Sequence, residues 1–211
     1  MAEDSGTPIT RNKVSDERAE AIRSAVRAAN SMPTPDRAAR LATPDDAEAF
    51  HAFLSDPKVY APIYTLPRPL TVESVRAFIM EHEREREEGV GLMFLNLNEM
   101  DRIVGYSDFS FWPQWAAGEL GGAVHPDMQS KGRGQLGAAM SFAWMFDALG
   151  LDLIVETAAL DNVRTAKLLD YLGFARKGEI TSTRPDGTTR ASLVWEITRD
   201  EWAAKHQNLS R

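Results

Sequence analysis

Three strand-like segments between residues 91 and 124 constrain the fold most. They read GLMFLNLN, RIVGYSDFSFW and ELGGAV, and only short turns around EMD and PQWAAG separate them. Parallel neighbours need a crossover of about a dozen residues or more, so these segments are predicted to form an antiparallel meander. Whatever follows them must be compatible with an antiparallel sheet.

After Val124 the pattern changes to alternating helices and strands. GQLGAAMSFAWMFDALG predicts a helix, LDLIVETA a buried strand, NVRTAKLLDYLG a helix ending at Gly173, and the final segment a hairpin around P-D-G. Upstream, a strand over residues 37–43 and helices over 43–56 and 71–88 precede the meander. The order β-α-α-β-β-β-α-β-α-β-β indicates a mixed α/β (α+β) domain.

The N-terminal segment is predicted to add a tail and an extra helix to that domain. The first ten residues are small and polar, which favours a loose tail, and Ser15 then caps a helix. The apolar positions of this helix form a narrow stripe of Ala19, Ile22, Val26 and Ala29. The stripe packs either on its own domain or on a second subunit, which leaves a homodimer open. We divide the chain into residues 1–34, a domain over 35–205, and a tail over 206–211.

Composition excludes several kinds of site. The 211 residues include no cysteine, and the four histidines are scattered, so disulfides, thiolate catalysis and a metal site are not expected. A net charge of −7 argues against a nucleic-acid partner and suits cationic small molecules. The sequence shows neither a signal peptide nor an apolar run of ~20 residues, so we expect a cytoplasmic protein without a membrane partner.

The segment QSKGRGQLGAAM carries two overlapping phosphate-binding patterns. A dinucleotide turn of the GxGxxG type needs its first glycine directly after a strand of a parallel sheet. Here the seven residues HPDMQSK separate Val124 from Gly132, and the preceding strands are antiparallel. The other pattern, Q-x-x-G-x-G, leads straight into a helix, whose N-terminal N–H groups attract phosphate. We therefore favour phosphate binding without a dinucleotide fold.

Two segments together resemble the motifs of the GNAT superfamily of N-acyltransferases. AVHPDMQSKGRGQLGAAM resembles the acyl-CoA-binding motif, and ALDNVRTAKLLDYLGFARKGE resembles the second motif downstream. The positions that carry the resemblance are Gln129, Gly132, Gly134, Asn162, Thr165, Gly173 and Phe174. The likeness spans residues 37–202. GEL-GG-AV, the N-x-x-T spacing and the closing DEW are most similar to the branch of ribosomal-protein N-terminal alanine acetyltransferases (RimJ/RimL-like).

This resemblance implies a mixed, largely antiparallel twisted sheet with helices on both faces, splayed where coenzyme A binds. Acetyl-CoA is the implied acyl donor, and its pantetheine arm would lie between the strand ending at Val124 and the strand over residues 153–158. The implied contacts are Ala123, Val124, Gln129, Ser130, Lys131, Gly132, Arg133, Gly134, Gln135, Asn162 and Lys167. For Lys167, an exposed helix lysine without a ligand is the alternative.

The implied reaction is direct attack of an amine on the thioester, without a covalent enzyme intermediate. Glu119 is the predicted base, with a solvent-facing charge as the alternative, and Glu156 and Asp108 are weaker candidates. Many relatives carry a tyrosine, seven residues after the asparagine, to protonate the thiolate. That position is Leu169 here, and helix geometry turns Tyr171 elsewhere. Thr165 is the predicted substitute, unless its hydroxyl only bonds backbone.

The predicted function is acetyl-CoA-dependent N-acetyltransfer to a primary amine, either a small molecule or a peptide or protein N-terminus. The alternative is a catalytically silent domain that binds or senses acyl-CoA. The sequence does not identify the acceptor.

Overall fold

A twisted sheet forms the centre of the chain in the computed structural model, which describes residues 6–35, 39–61, 63, 65–125, 133–183 and 187–206. Within these residues the helices are α1 (Asp16–Ala28), α2 (Ala47–Leu54), α3 (Pro57–Tyr60), α4 (Val72–Glu88), α5 (Arg133–Asp147), α6 (Val163–Leu172) and α7 (Arg199–His206). The strands are β1 (Ser31–Met32), β2 (Ala39–Leu41), β3 (Gly91–Leu97), β4 (Ile103–Trp112), β5 (Ala117–Val124), β6 (Leu153–Ala159), β7 (Ala175–Thr183) and β8 (Thr189–Thr198).

The sheet combines the predicted meander with the later alternating elements. Its strand order is β1-β2-β3-β4-β5-β6-β8-β7, and every neighbouring pair is antiparallel except β5 and β6. The antiparallel meander β3-β4-β5 is therefore confirmed, as is the mixed, largely antiparallel fold class. β8 returns between β6 and β7, which leaves β7 at the edge.

The single parallel pairing is short. β5 and β6 are in register only at Ala117–Leu153 and Gly118–Ile154, so the two strands separate beyond those pairs. On the separated part of β5, Gly122 has a φ of 129°, and a Cβ there would lie 2.2 Å from the Tyr106 carbonyl oxygen. Only glycine fits that backbone without a shift of β4. The predicted splay is thus present, and we call this separation the fork.

The two faces of the sheet carry separate apolar cores. One core packs β-strand residues such as Phe94, Phe109 and Trp195 against α1, α5, α6 and α7, and we call this side the α5 face. The other packs residues such as Leu95 and Tyr106 against α2 and α4, and we call it the α4 face. Side chains alternate between the two faces along each strand, so the fork opens between two fully packed layers.

The N-terminal helix docks on its own domain. The Ser15 hydroxyl accepts a hydrogen bond from Arg18 N at 3.2 Å, which confirms the predicted cap. Ala19, Ile22 and Val26 are buried, and Ile22 and Val26 belong to the core of the α5 face. Because the apolar stripe is covered within the chain, it is not a surface for a second subunit.

The expectation of a loose tail over the first ten residues is wrong for residues 6–10. With residues 11–14 they form a docked segment, residues 6–14, which we call the strap. Glu196 accepts hydrogen bonds from Ile9 N at 2.7 Å, Thr10 N at 2.9 Å and the Thr10 hydroxyl at 2.6 Å. Val14 N also donates to the Gln114 carbonyl at 3.0 Å. A small polar composition suggested a tail because the buried acceptor lies 186 residues away in sequence.

Other differences from the sequence prediction are short elements. No helix was predicted for the segment PKVY, which forms α3 because Asp56 caps it and Pro57 takes the first helical position. β1 was not predicted, and the closing DEW segment lies within α7. Most of the P-D-G turn lies outside the described residues, although β7 and β8 pair as the predicted hairpin.

Replacement of Glu196 by glutamine tests the strap. Glu196 is 1% exposed, and the amide accepts on one side only, so the Thr10 hydroxyl can no longer donate to a charged carboxylate oxygen. We expect a loss of about 1–3 kcal/mol in the free energy of unfolding. Amide hydrogens of Ile9 and Thr10 should also exchange faster. Glu179→Gln, at an exposed position of β7, is the control, and equal effects of both variants would contradict the anchoring role.

Candidate active site

A cleft of about 1240 Å³ passes through the fork and reaches both faces of the sheet. On the α5 face its lining includes Gly134, Ala138, Phe142 and Leu169. On the α4 face its lining includes Asp108, Trp112, Glu119 and Thr157. A cleft open to both layers lets two ligands approach the same point from opposite sides of the sheet.

The predicted coenzyme contacts fall into three groups. Those that line the cleft are Ala123, Val124, Gly134 and Asn162. Gln135 and Lys167 are exposed and lie outside the lining, which leaves both contacts as predictions. Residues Gln129, Ser130, Lys131 and Gly132, and the side chain of Arg133, lie outside what the structure describes.

The described end of the glycine segment fits an anionic ligand. α5 begins at Arg133, so its first N–H groups and the positive end of its dipole lie beside the cleft. A Cβ added to Gly134 would meet no heavy atom within 4 Å. The open space at this helix start agrees with a bulky phosphate-bearing group next to the backbone.

The second motif builds the start of α6. Asn162 caps the helix, and its Oδ1 accepts from Thr165 N at 3.1 Å. This bond holds Asn162 and Thr165 together at the cleft wall. Leu169 is 1% exposed in the core, whereas Tyr171 is 64% exposed, as the helix geometry predicts. The described part of α6 therefore places no tyrosine in the cleft.

Glu119 lies half-buried on the α4 face of the fork. Its Oε1 accepts a 2.6 Å hydrogen bond from the Thr157 hydroxyl on β6. Burial raises the pKa of the Glu119 carboxyl, the bond from Thr157 opposes this, and the Asp108 charge raises it further. Because Glu119 is enclosed in the cleft, it does not fit the alternative of a charge that faces solvent.

Asp108 is held by a histidine that the sequence analysis did not single out. His82 on α4 places Nε2 2.9 Å from Asp108 Oδ1 and Nδ1 2.8 Å from the Phe78 carbonyl. Burial lowers the pKa of His82, but the charge and hydrogen bond of Asp108 outweigh it and raise this pKa to about 9. The sequence does contain a sign of this role, because His82 continues the buried stripe of Val75 and Ile79 along α4 although it is titratable.

Glu156 is the most deeply enclosed carboxyl of the site. It is 6% exposed, and its Oε1 accepts from Leu120 N at 2.9 Å across the fork. Burial raises the pKa of Glu156 well above its usual value, and the nearby Glu119 charge adds to this, while the bond from Leu120 lowers it. Two carboxyl groups thus face one fork with unequal proton affinities.

Neither a metal-binding group nor a membrane-spanning helix is present among the described residues. Among them, His, Cys, Asp and Glu side chains form no group of three or more that could hold a metal ion. Helices in the same part of the chain are too short or too polar to cross a membrane.

Comparison with known proteins identifies the family. A family model for the acetyltransferase (GNAT) domain matches residues 39–175. The chain belongs to this family. It is therefore an acetyl-CoA-dependent acyltransferase, and the resemblance drawn from the two motifs is confirmed. The strap and α1 lie before the matched residues.

Individual relatives are distant. The chain is 22% identical over 158 residues to the uncharacterized N-acetyltransferase YnaD of Bacillus subtilis, covering 74% of this chain and 90% of YnaD. The ribosomal-protein-S5-alanine acetyltransferase of Vibrio fischeri has a TM-score of 0.67 at 20% identity, covering 82% and 99% of the two chains. Mycobacterium smegmatis RimJ, solved in complex with CoA-disulfide, has a TM-score of 0.67 at 19% identity, covering 86% and 92%. These likenesses show a shared fold with members of the predicted branch.

The His82–Asp108 pair predicts a stability that depends on pH. Because the folded state raises the pKa of His82 from 6.5 to about 9, its contribution is complete below pH 6.5 and is lost as pH rises through about 9. At 1.36 kcal/mol per pKa unit, the loss is about 3 kcal/mol. Urea unfolding across this pH range should show that the free energy of unfolding falls for the native chain. For His82→Gln the part of the fall that comes from this pair should be absent. Parallel profiles would contradict the pairing.

Proposed function

We propose that this acyltransferase moves the acetyl group to a primary amine that enters from the α4 face. The main support for this proposal is the fork. On one side it opens to a helix N-terminus suited to phosphate, and on the other to a half of the cleft lined by carboxylates. A donor and an acceptor that enter from opposite faces meet at the separated strands. This arrangement suits direct transfer between two bound molecules.

The donor side fits acetyl-CoA in two respects. Beyond Gly118, β5 has no register partner in β6, so its inner edge can pair with an extended ligand. The start of α5 supplies N–H groups for phosphate at the far end of the same strand. Acetyl-CoA supplies an activated thioester when bound, and the residues at the fork orient it and handle protons.

The acceptor side is built for a cationic group. Asp108 and Glu119 point to the same face because Asp108 faces Gly121 across the β4–β5 register and Glu119 lies two residues before Gly121. His82 offsets part of the Asp108 charge, and the remaining negative charge at Glu119 and Asp108 attracts an ammonium group, which must lose a proton before it attacks. The raised pKa of Glu119 brings it closer to that of a general base at neutral pH.

The strap and β7 form an outer wall of this acceptor half. Thr7 is 4% exposed and lines the cleft together with Ile180 and Ser182. The Tyr106 hydroxyl is buried at the same cleft without a hydrogen-bond partner among the described residues. A polar group of the acceptor can satisfy this hydroxyl. Small primary amines and peptide N-termini both fit this chemistry.

Thiol release from acetyl-CoA with a panel of amines tests the function. The panel contains diamines and polyamines, free amino acids, and peptides that begin with alanine or serine. We expect turnover with at least one class, and none with Gly134→Glu, which adds bulk and negative charge beside the phosphate end while the open space spares the fold. Gly134→Ala is its uncharged control. Thermal stabilisation by CoA without turnover of any amine would contradict the proposal and favour a silent binding domain.

Glu119→Gln tests the base. We expect kcat/KM to fall on the order of 10²-fold, and most at low pH, where deprotonation of the amine is hardest. The affinity for CoA should stay unchanged, since Glu119 lies on the acceptor side. Glu179→Gln, at an exposed position, is the matched control. An unchanged rate at every pH would remove Glu119 from the mechanism.

A further inference from the structure

We propose that Glu156 is the catalytic acid that protonates the departing thiolate of coenzyme A. Its carboxyl lies in the fork, bound to Leu120 N at 2.9 Å, and it lines the cleft. This assignment rests on the proposed transfer to an amine and adds a residue that neither family motif contains.

The position of Glu156 in the fork favours this role. The fork closes at Gly118 and opens toward Val124, and the phosphate end lies at the start of α5 beyond Val124. A ligand that lies along β5 from that end therefore points its reactive terminus toward the closed end. Leu120 is two residues from the closure, so Glu156 lies where such a terminus stops. The distance from Val124 to Leu120 along the strand is roughly 13 Å.

The proton affinity of Glu156 also favours this role. Burial and the Glu119 charge raise the pKa of Glu156 well above normal, while the hydrogen bond from Thr157 restrains the rise at Glu119. When two neighbouring carboxyl groups have different pKa values, the one with the higher pKa can keep its proton while the other is ionised. The protonated group can then act as an acid and the ionised group as a base. On this reading Glu119 is the ionised partner and Glu156 the protonated one.

The composition of the cleft wall favours Glu156 as well. The position of the family's tyrosine is the buried Leu169, and Tyr171 is exposed. Thr165 lines the cleft, but a hydroxyl is a far weaker acid than a neutral carboxyl. Glu156 thus takes the role that the sequence analysis gave to Thr165.

The surroundings of Glu156 define which charges act on it. Glu119, on the opposite face of the fork, is the charge that shifts its pKa. Trp195 lies beside it in the β6–β8 register. The parts of α5 and α6 that line the cleft include the uncharged Ser141, Phe142, Thr165 and Leu168. The cation Arg164 at the start of α6 also lines the cleft, but it is not among the groups that shift the pKa of Glu156.

The proton balance of the step is closed. The amine, neutral after its ammonium proton has passed to solvent, bonds through nitrogen to the thioester carbonyl carbon, and the nitrogen then loses a second proton to Glu119. The carbon–sulfur bond breaks, and the sulfur takes the Glu156 proton to leave as a thiol. Glu156 is left as a carboxylate whose oxygen still accepts from Leu120 N. Exchange with solvent returns the proton from Glu119 to Glu156 before the next turnover.

Dependence on the leaving group tests this role. Glu156→Gln keeps the size and the acceptor for Leu120 N, so folding should survive, which thermal melting and CoA affinity will check. With acetyl-CoA we expect a fall in kcat/KM on the order of 10²-fold. With an acetyl aryl thioester, whose thiolate departs without protonation, the fall should be several-fold or less. Glu156→Asp, which keeps an acid, should recover part of the rate.

A binding measurement separates this proposal from the proposed function. Bound CoA in the native chain should form its thiolate at a higher pH than in Glu156→Gln. Glu156 loses its own proton before the thiol does as pH rises, and the resulting carboxylate beside the sulfur disfavours a second negative charge. Ultraviolet absorbance of the thiolate follows this without any acceptor amine. Equal thiolate midpoints, equal losses with both donors, or a loss confined to Thr165→Val would overturn the role of Glu156. None of these results would bear on amine acetylation itself.

Discussion

The whole site depends on the short pairing between β5 and β6. Two register pairs, Ala117–Leu153 and Gly118–Ile154, join the halves of the sheet, and the strands then diverge. Buried backbone groups without partners are costly, so a divergence inside a packed sheet must be compensated by side chains or a ligand. Glu156 does this for Leu120 N, and the remaining edge of β5 is left for an extended ligand. The positive φ of Gly122 lets β5 keep its contact with β4 while it bends away from β6.

The fork also explains why three carboxyl groups gather inside an acidic protein. Asp108, Glu119 and Glu156 repel one another, and burial makes their charges more costly. The chain offsets one of these charges with His82, whose pKa of about 9 makes it a cation at neutral pH. Unequal burial and unequal hydrogen bonding then separate Glu119 from Glu156. A site that must take one proton and deliver another gains from such a separation.

Much of this arrangement was predictable because the relevant signals are local in sequence. The meander follows from short connections, α6 from the cap at Asn162 and the glycine at its end, and the family from two motifs. The strap was not predictable, because its anchor Glu196 is distant in sequence. The contacts of His82 with Asp108 and of Glu156 with Leu120 N were also not predicted. Such contacts depend on how helices pack and how strands align, which the local sequence does not specify. For these reasons the sequence predicted Glu119 as the base from its strand and Thr165 as the acid from its motif.

Hydrogen exchange on β5 tests the central claim, that the separated strand edge receives coenzyme A, most directly. Amide exchange would be followed with and without CoA, in the absence of an acceptor. The account predicts slower exchange for amides of residues 120–124 and for the first turn of α5, with no change on the edge strand β7. Protection of β7 or of the strap without protection of β5 would contradict it.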